Sequence, residues 1–483
     1  MKTIKPDKTL IIGLIFIILS SHLTLLSQTW TEPINISNMP GLDNQPDLCI
    51  DKNGILHCVF VHKLASNWRK IYYTKSTDDG ETWTTPEDIS LNPDTSLMNP
   101  HIIADTNGNL YVSYDYNTMN PAATLIKLKT FDGNQWSEPY VVSEGMYNSD
   151  HNKLCIDHNN RIYVFWGYLN HWTNYRYYEN GQWSETFSPY YENESMETIS
   201  VVVDSENNIH CIGWGESSGG PYAIYFSYLN DIDWTDWTII SPVTNFGSVG
   251  GGDISVNNEN LPSIAYRQKS YGTGADNDST MYTFFNGNNW SIPELVVNDP
   301  YEQKIVIDPY NRVHIIDREK IENGYKLVHY QKINEIWQGY IIDEAIIVVG
   351  NPEFIEINNI LYLVYYECYS NDDCRIKFAK NCLTTQVKTE QNSWHNIRIF
   401  PNPFKTETTI EFELSNQIQV NISVYNLNGQ KIKTLMNEKI KPGTYRLIWN
   451  GKDLNGKEVE AGLYLVRLQS GRNIVTQPVE VIK

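Results

Sequence analysis

Tryptophan returns at a nearly constant interval along most of this chain, and that interval restricts the possible folds more than any other feature. The positions are Trp30, Trp83, Trp136, Trp183, Trp237, Trp290 and Trp337, separated by 53, 53, 47, 54, 53 and 47 residues. A short strand-like run follows each one, for example TWTTPEDIS from Thr82, QWSEPYVVS from Gln135 and NWSIPELVV from Asn289. A fixed period of about 50 residues means stacked copies of one unit, each burying its faces against its neighbours.

Three more segments precede each Trp. An apolar run, such as PDLCID from Pro46 or KIVID from Lys304, leads into a polar turn such as Asp51 to Gly54. Asn and Gly in those turns accept the positive φ of a tight hairpin. A second run ends on an aromatic residue, as at Phe60, Tyr114, Trp166, Tyr266 and Tyr365, and a third leads to the Trp. Four strands per copy and seven copies predict an all-β chain with a seven-bladed β-propeller over residues 28–383. The seventh copy has runs from Pro352, Ile360 and Arg375 but no Trp run. The run at Thr29 is spare at the other end. Pairing the two closes a ring and removes exposed sheet edges.

The flanking segments differ in character. Lys2, Lys5 and Lys8 precede an apolar stretch from Leu10, and Ser27 offers a small residue before Gln28. Residues 1–27 therefore read as a secretory signal peptide. Ser20, Ser21 and His22 leave the apolar stretch short for a span, so no stable membrane span is expected after processing. A formal net charge of −20 disfavours nucleic acid, whose binding runs on Lys and Arg. Residues 384–396 read as a linker. Residues 397–483 alternate in strand fashion around Asn428 and Gly429, Pro442 and Gly443, and Asn455 and Gly456, predicting a small C-terminal β-sandwich.

Two stretches resemble known families. Ser76, Asp78, Gly80, Thr82 and Trp83 are spaced as in the Asp box of sialidase-like (BNR-repeat) propellers, where the box is a structural turn. Sialidase activity itself fits poorly, because no early Arg-Ile-Pro-like motif is present. The C-terminal region is similar to the type A sorting domain of the type IX secretion system of Bacteroidota. The match rests on Pro401 to Pro403, Val424 to Gly429, Gly443 to Tyr445, Trp449 to Gly451, Gly462 to Tyr464 and the terminal VEVIK. It implies handling by that machinery, removal of this domain, and release or attachment at the cell surface.

Cys49 and Cys155 share a repeat position, as do Cys58 and Cys211, and read as small core residues. Cys368 and Cys374 bracket a short loop and are a disulfide candidate, with Cys382 a competitor. No Cys/His cluster has zinc spacing, and no metal or cofactor is expected.

Ligand groups are expected on loops entering the first strand and leaving the second, by analogy with other propellers. Ligand-binding candidates are Trp68, Arg69, Asp150, Trp166, Trp172, Trp214 and Arg267, with the tryptophans stacking on sugar faces. In the aromatic column the sixth copy carries Asp317, followed by Arg318. This pair reads as a structural ion pair or as an acid/base group beside a guanidinium. His151, between Asp150 and Asn152, reads as a surface hydrogen-bonding residue or as a base. Three functions follow: binding of an extracellular glycan or polymer, a glycoside hydrolase or polysaccharide lyase at the mouth, or a protein-interaction propeller without a small ligand.

Overall fold

The computed structural model describes residues 30–90, 95–119, 122–168, 172–189, 194–217, 223–230, 233–241, 249–270, 277–298, 300–333, 336–345, 347–383, 394–414, 418–426, 431–470 and 473–482. The signal-peptide reading lies outside the described residues. The chain divides after Leu383 into two compact units. Every regular element among the described residues is a strand.

The larger part is a series of four-stranded antiparallel meanders. The first is Leu42–Ile50, Leu56–Lys63, Arg69–Ser76 and Glu87–Asp88. The second is Ser96–Ala104, Leu110–Met119, Ala122–Phe131 and Tyr140–Val141. The third is Ser149–Ile156, Ile162–Tyr168, Trp172–Glu179 and Gln182–Trp183, and the fourth Glu194–Val203, Ile209–Ser217, Ala223–Leu229 and Thr238–Ile239. The fifth is Val249–Val256, Pro262–Ser270, Asn277–Phe284 and Glu294–Asn298. The sixth is Pro300–Ile307, Val313–Ile321, Gly324–Ile333 and Ile336–Ala345. The last is Val348–Ile357, Ile360–Ser370 and Asp373–Cys382, with Ile34–Asn35 as its outer strand. Each inner strand packs against the inner strand of the next meander, and the last returns to the first.

Local chemistry explains why each copy folds alike. In six turns a side-chain oxygen accepts the backbone N–H groups two and four residues on, at 2.8 or 2.9 Å. The acceptors are Asp51, Asp105, Asp157, Asp204, Asn257 and Asp308. These bonds satisfy N–H groups that a turn leaves unpaired. Asn160, Asn207, Asn260 and Asn311 sit in the same turns at φ of 64, 69, 61 and 59°. Each side-chain carbonyl accepts an N–H from the preceding meander's turn: Thr106 at 2.9 Å, His158 at 2.8 Å, Ser205 at 3.1 Å and Asn258 at 3.3 Å.

The repeated Trp packs on the preceding meander. Trp136 meets Tyr73 at 5.3 Å between ring centroids, Trp290 meets Phe226 at 5.0 Å, and Trp337 meets Tyr282 at 5.3 Å. The hydroxyl residue after Trp accepts a backbone N–H of the third strand in Thr31, Thr84, Ser137, Ser184, Thr235 and Ser291, at 3.0 or 3.1 Å. This corrects one sequence assignment. The repeat Trp of the fourth meander is Trp234, bridged to Leu229 and packed on Tyr175, and not Trp237. The segment reads Trp-Thr twice, three residues apart, and regular spacing favoured the wrong copy.

The N-terminal segment completes the last meander. Ile34 and Asn35 pair with Phe378 and Lys377. Ile36 donates to the Ile376 carbonyl at 2.9 Å and is fully buried, and Trp30 donates its indole N–H to His329 Nδ1 at 3.3 Å. The turn from Ser76 to Trp83 is clasped from the other side. Thr82, through its hydroxyl and amide, and Ser76 hold the Asp78 carboxyl down at about 2, and Lys380 Nζ reaches Asp79 at 2.8 Å. Cys368 and Cys374, at the tip of the last meander, are joined by a disulfide. Cys58, Cys155 and Cys211 are buried free thiols.

The C-terminal unit has a three-stranded sheet, Trp394–Phe400, Thr408–Leu414 and Gly443–Trp449. Its four-stranded sheet is Lys431–Ile440, Ile418–Asn426, Gly462–Ser470 and Asn473–Val481. One apolar core, including Phe404, Phe412, Val424, Trp449 and Val466, joins them. Alternate residues of Thr408–Leu414 are buried, the period of a half-buried strand. The first strand starts at Trp394, inside the stretch read as linker. A register break between His395 and Arg398 hides its alternation in the sequence.

Candidate ligand-binding face

Every inner strand breaks register near its start, between Asn44 and Asp47, Met98 and His101, Asp150 and Lys153, Thr198 and Ser200, Gly250 and Gly252, Pro300 and Gln303, and Gly350 and Glu353. Such bulges re-aim side chains at sheet ends. Gln45, Asn99, His151, Gly251 and Asn351 take the extra position at φ of 49, 50, 53, 69 and 43°. Asn, His and Gly suit that conformation, whereas Gln is less usual there. The start of each inner strand pairs with the end of the second, so entry and exit residues share one end of each meander.

Just past the bulge lies one equivalent position in each inner strand: Asp47, His101, Lys153, Ser200, Asp253, Lys304 and Glu353. Neighbours pair: His101 with Asp47 at 3.4 Å, Ser200 Oγ with Asp253 at 2.5 Å, and Lys304 with Glu353 at 2.5 Å. No local pattern signals that these groups meet, because the partners of each pair lie about one copy apart in the chain.

Asp115 braces the second and third meanders. It accepts from Asn99 Nδ2 and Asn152 Nδ2, both at 2.7 Å, and from the His151 amide at 3.1 Å. Burial pushes its carboxyl above the usual range. Gln45 Nε2 continues the network to Asn99 at 2.8 Å. His151 itself is 55% exposed at the side chain, with Nδ1 at 3.3 Å from Asp150 Oδ1.

Asp317 does the comparable work in the sixth meander. It accepts from the Tyr301 amide at 3.3 Å and from the Thr280 hydroxyl. It is fully buried, and burial pushes its carboxyl up to about 8. The sequence reading of Asp317 as facing a ligand, or as the ion partner of Arg318, is therefore corrected. Adjacent strand residues point to opposite faces, so the two do not meet. Arg318 instead reaches Glu302 at 3.2 Å and lies 4.4 Å from the Tyr301 ring centroid. Gly350 leaves room for it: a Cβ there would come within 2.7 Å of Nη1. Arg267, ion-paired with Asp278, lies 4.9 Å from the same ring, and Tyr301 is 44% exposed. Sequence reasoning missed Tyr301, which looks like ordinary strand patterning.

Of the other candidates, Trp166 is fully buried in the core with Ile126, Val164 and Ile162, so it offers no stacking face and that expectation is corrected. Trp68 and Arg69 are half-buried at the turn into the first meander's third strand. Trp214 is half-buried and packs on Ile212 and Ile224. The Trp172 side chain lies outside the described residues. No group of three metal-ligating side chains is found among the described residues.

The raised Asp317 acidity gives a signed prediction. The folded chain holds a proton that the unfolded chain, with a carboxyl near 3.9, has released. Stability therefore falls by about 1.4 kcal/mol per pH unit from about pH 5 to about pH 7 through this group. Asp317→Asn lacks the proton and should lose that slope. Denaturant midpoints of both proteins across this range check it; parallel curves would refute the assignment.

Residues 398–482 match the secretion system C-terminal sorting domain. No curated protein matches the chain. Among solved structures the chain is similar to a PL25-type polysaccharide lyase, an ulvan lyase bound to -[GlcA(1-4)Rha3S]-, with 14% identity, TM-score 0.51, and coverage of 72% of this chain and 93% of that one. It is also similar to polysaccharide lyase Uly1, with 9% identity, TM-score 0.50, and coverage of 70% and 89%. A GH93 alpha-L-arabinofuranosidase of Fusarium graminearum overlays more loosely, with 10% identity, TM-score 0.45, and coverage of 72% and 97%. At these identities the likeness to the two lyases is one of fold, a β-propeller of four-stranded units. The sorting domain marks the chain for export to the cell surface or the extracellular space. No helix among the described residues is long and apolar enough to cross a membrane.

Proposed function

We propose that the exported chain is a seven-bladed, sialidase-like β-propeller that binds an extracellular glycan on the face where its bulged inner strands begin. The unbroken succession of inner-strand contacts supports the blade count, and the turn from Ser76 to Trp83 serves as its Asp box. Residues 1–27 are its leader, and the type IX machinery is its partner through residues 397–483.

The observation that carries the glycan reading is Tyr301. An exposed tyrosine with the guanidinium groups of Arg267 and Arg318 over its ring sets an aromatic edge and hydroxyl beside donors that suit the oxygens of a sugar. The fold shared with two polysaccharide lyases and the export signal agree with it.

A glycan array probed with the purified chain tests this reading. Tyr301→Ala should weaken binding of any array hit about tenfold, the loss of one aromatic contact, while the chain still melts as a folded protein. A silent array would leave a protein-interaction propeller; unchanged binding by the variant would remove Tyr301 from the site. A second reading, catalysis by a lyase or hydrolase, is favoured by the exposed His151 beside the half-buried Asp150. Release of reducing ends or of unsaturated, ultraviolet-absorbing sugars, abolished in His151→Gln, would establish it.

A further inference from the structure

Far along the chain from Tyr301, the first and last meanders meet around a cavity of about 310 Å³ lined by Gly41, His62, Lys63, Leu64, Asn67 and Asp372 among others. That volume is at the lower end of the range for small-molecule sites, about 300–1,000 Å³. One wall is a histidine held by an aspartate. His62 Nδ1 lies 2.6 Å from Asp43 Oδ1, Asp43 is fully buried, and His62 is 7% exposed. Tyr72 packs edge-on against the imidazole at 5.2 Å. Among the described residues Nε2 has no hydrogen-bond partner, and Asp43 Oδ2 is buried without one.

The space on the free edge of the ring is built in. Gly41 has φ +135°, and a Cβ there would come within 2.9 Å of His62 Cε1 and 3.7 Å of Nε2. The Gly41 carbonyl is fixed by the Cys374 amide at 2.8 Å, beside the Cys368–Cys374 disulfide. A carboxylate on Nδ1 orients an imidazole and fixes which nitrogen presents a lone pair. A ring nitrogen that faces the cavity with no protein partner is free to take a ligand hydroxyl.

We infer that this seam cavity is a second saccharide-binding site, in which His62 Nε2 takes a hydroxyl of one sugar residue and Leu64 lies along its apolar face. Asn67, Lys63 and Asp372 supply further polar groups at the rim. The choice of a sugar rests on the glycan reading above; the site itself rests on the Asp43–His62 geometry.

The test is a titration of the full chain, nitrogen-labelled at histidine, with methyl galactoside and with methyl glucuronide at millimolar concentration. Disappearance of one imidazole signal in His62→Gln assigns His62. The expected result is a saturable shift of the His62 Nε2 signal with one glycoside, and binding about tenfold weaker in His62→Gln by calorimetry. No shift with either glycoside, or equal affinity in the variant, overturns the inference. If His62→Gln fails to fold, the wild-type titration decides, with Tyr72→Phe used for assignment. A His62 shift with a silent array would sink the Tyr301 site alone. Array binding lost in Tyr301→Ala without a His62 shift would sink the seam site alone.

Discussion

Deletion of residues 28–37 is expected to leave the protein insoluble or to lower its melting temperature by roughly 10 °C or more. The segment contributes Ile36, fully buried against Leu48, Phe60 and Phe378, at about 2 kcal/mol for such a side chain. It also contributes four hydrogen bonds with the last meander, between Thr31 and Lys380 in both directions, from Ile36 to Ile376, and from Ile376 to Ser37. At about 1 kcal/mol each, these bring the loss to on the order of 6 kcal/mol. The strand Asp373–Cys382 would then present an open edge, a template for aggregation. Thermal melting and size-exclusion chromatography of the truncated chain measure this. A soluble monomer with an unchanged melting temperature would show that the ring does not depend on its N-terminal strand.

Gly80→Ala is the second large effect. Gly80 has φ +85°, and a Cβ there would lie 2.2 and 2.3 Å from Phe378 Cε1 and Cζ. Phe378 cannot withdraw, because Trp83 packs against it at 5.2 Å and it is 2% exposed. Backbone strain of about 1–2 kcal/mol and overpacking of about 1–3 kcal/mol together predict a loss of about 3 kcal/mol or more. Gly54→Ala is the control: φ is +78°, but its Cβ would meet nothing within 4 Å. It should lose only the backbone share. Equal shifts in denaturant midpoint for the two variants would mean that the contact with Phe378 contributes nothing.

The contrast between those glycines shows what the sequence can disclose. Hairpin turns, strand runs and the Trp-hydroxyl pair are local, and their chemistry is complete within about ten residues. They were therefore legible, apart from Trp237, where the local word occurs twice. The Asn clamps from Asn160 to Thr106 and from Asn260 to Ser205 were not, because each joins residues one copy apart. The candidate face shows the same division. Arg267, Asp150 and His151 were legible from their places on entry and exit loops, and Arg318 because it follows the one charge in an aromatic column. Tyr301 did not, because an exposed and a buried tyrosine look alike in a strand. Trp166 and Asp317 were misplaced for the converse reason. Their positions in the column were correct, but an inward direction on the second strand means core, not mouth.

The pairing of Ile34 and Asn35 with the last meander also fixes when the molecule can become whole. The groups that meet there are 339 and 349 residues apart in the chain. The earliest strand must stay unmated until the latest one has been made. Until that pairing forms, the folded copies leave two unmated edges, and the closing contact, between the most distant parts of the repeat array, is of the kind that forms slowly.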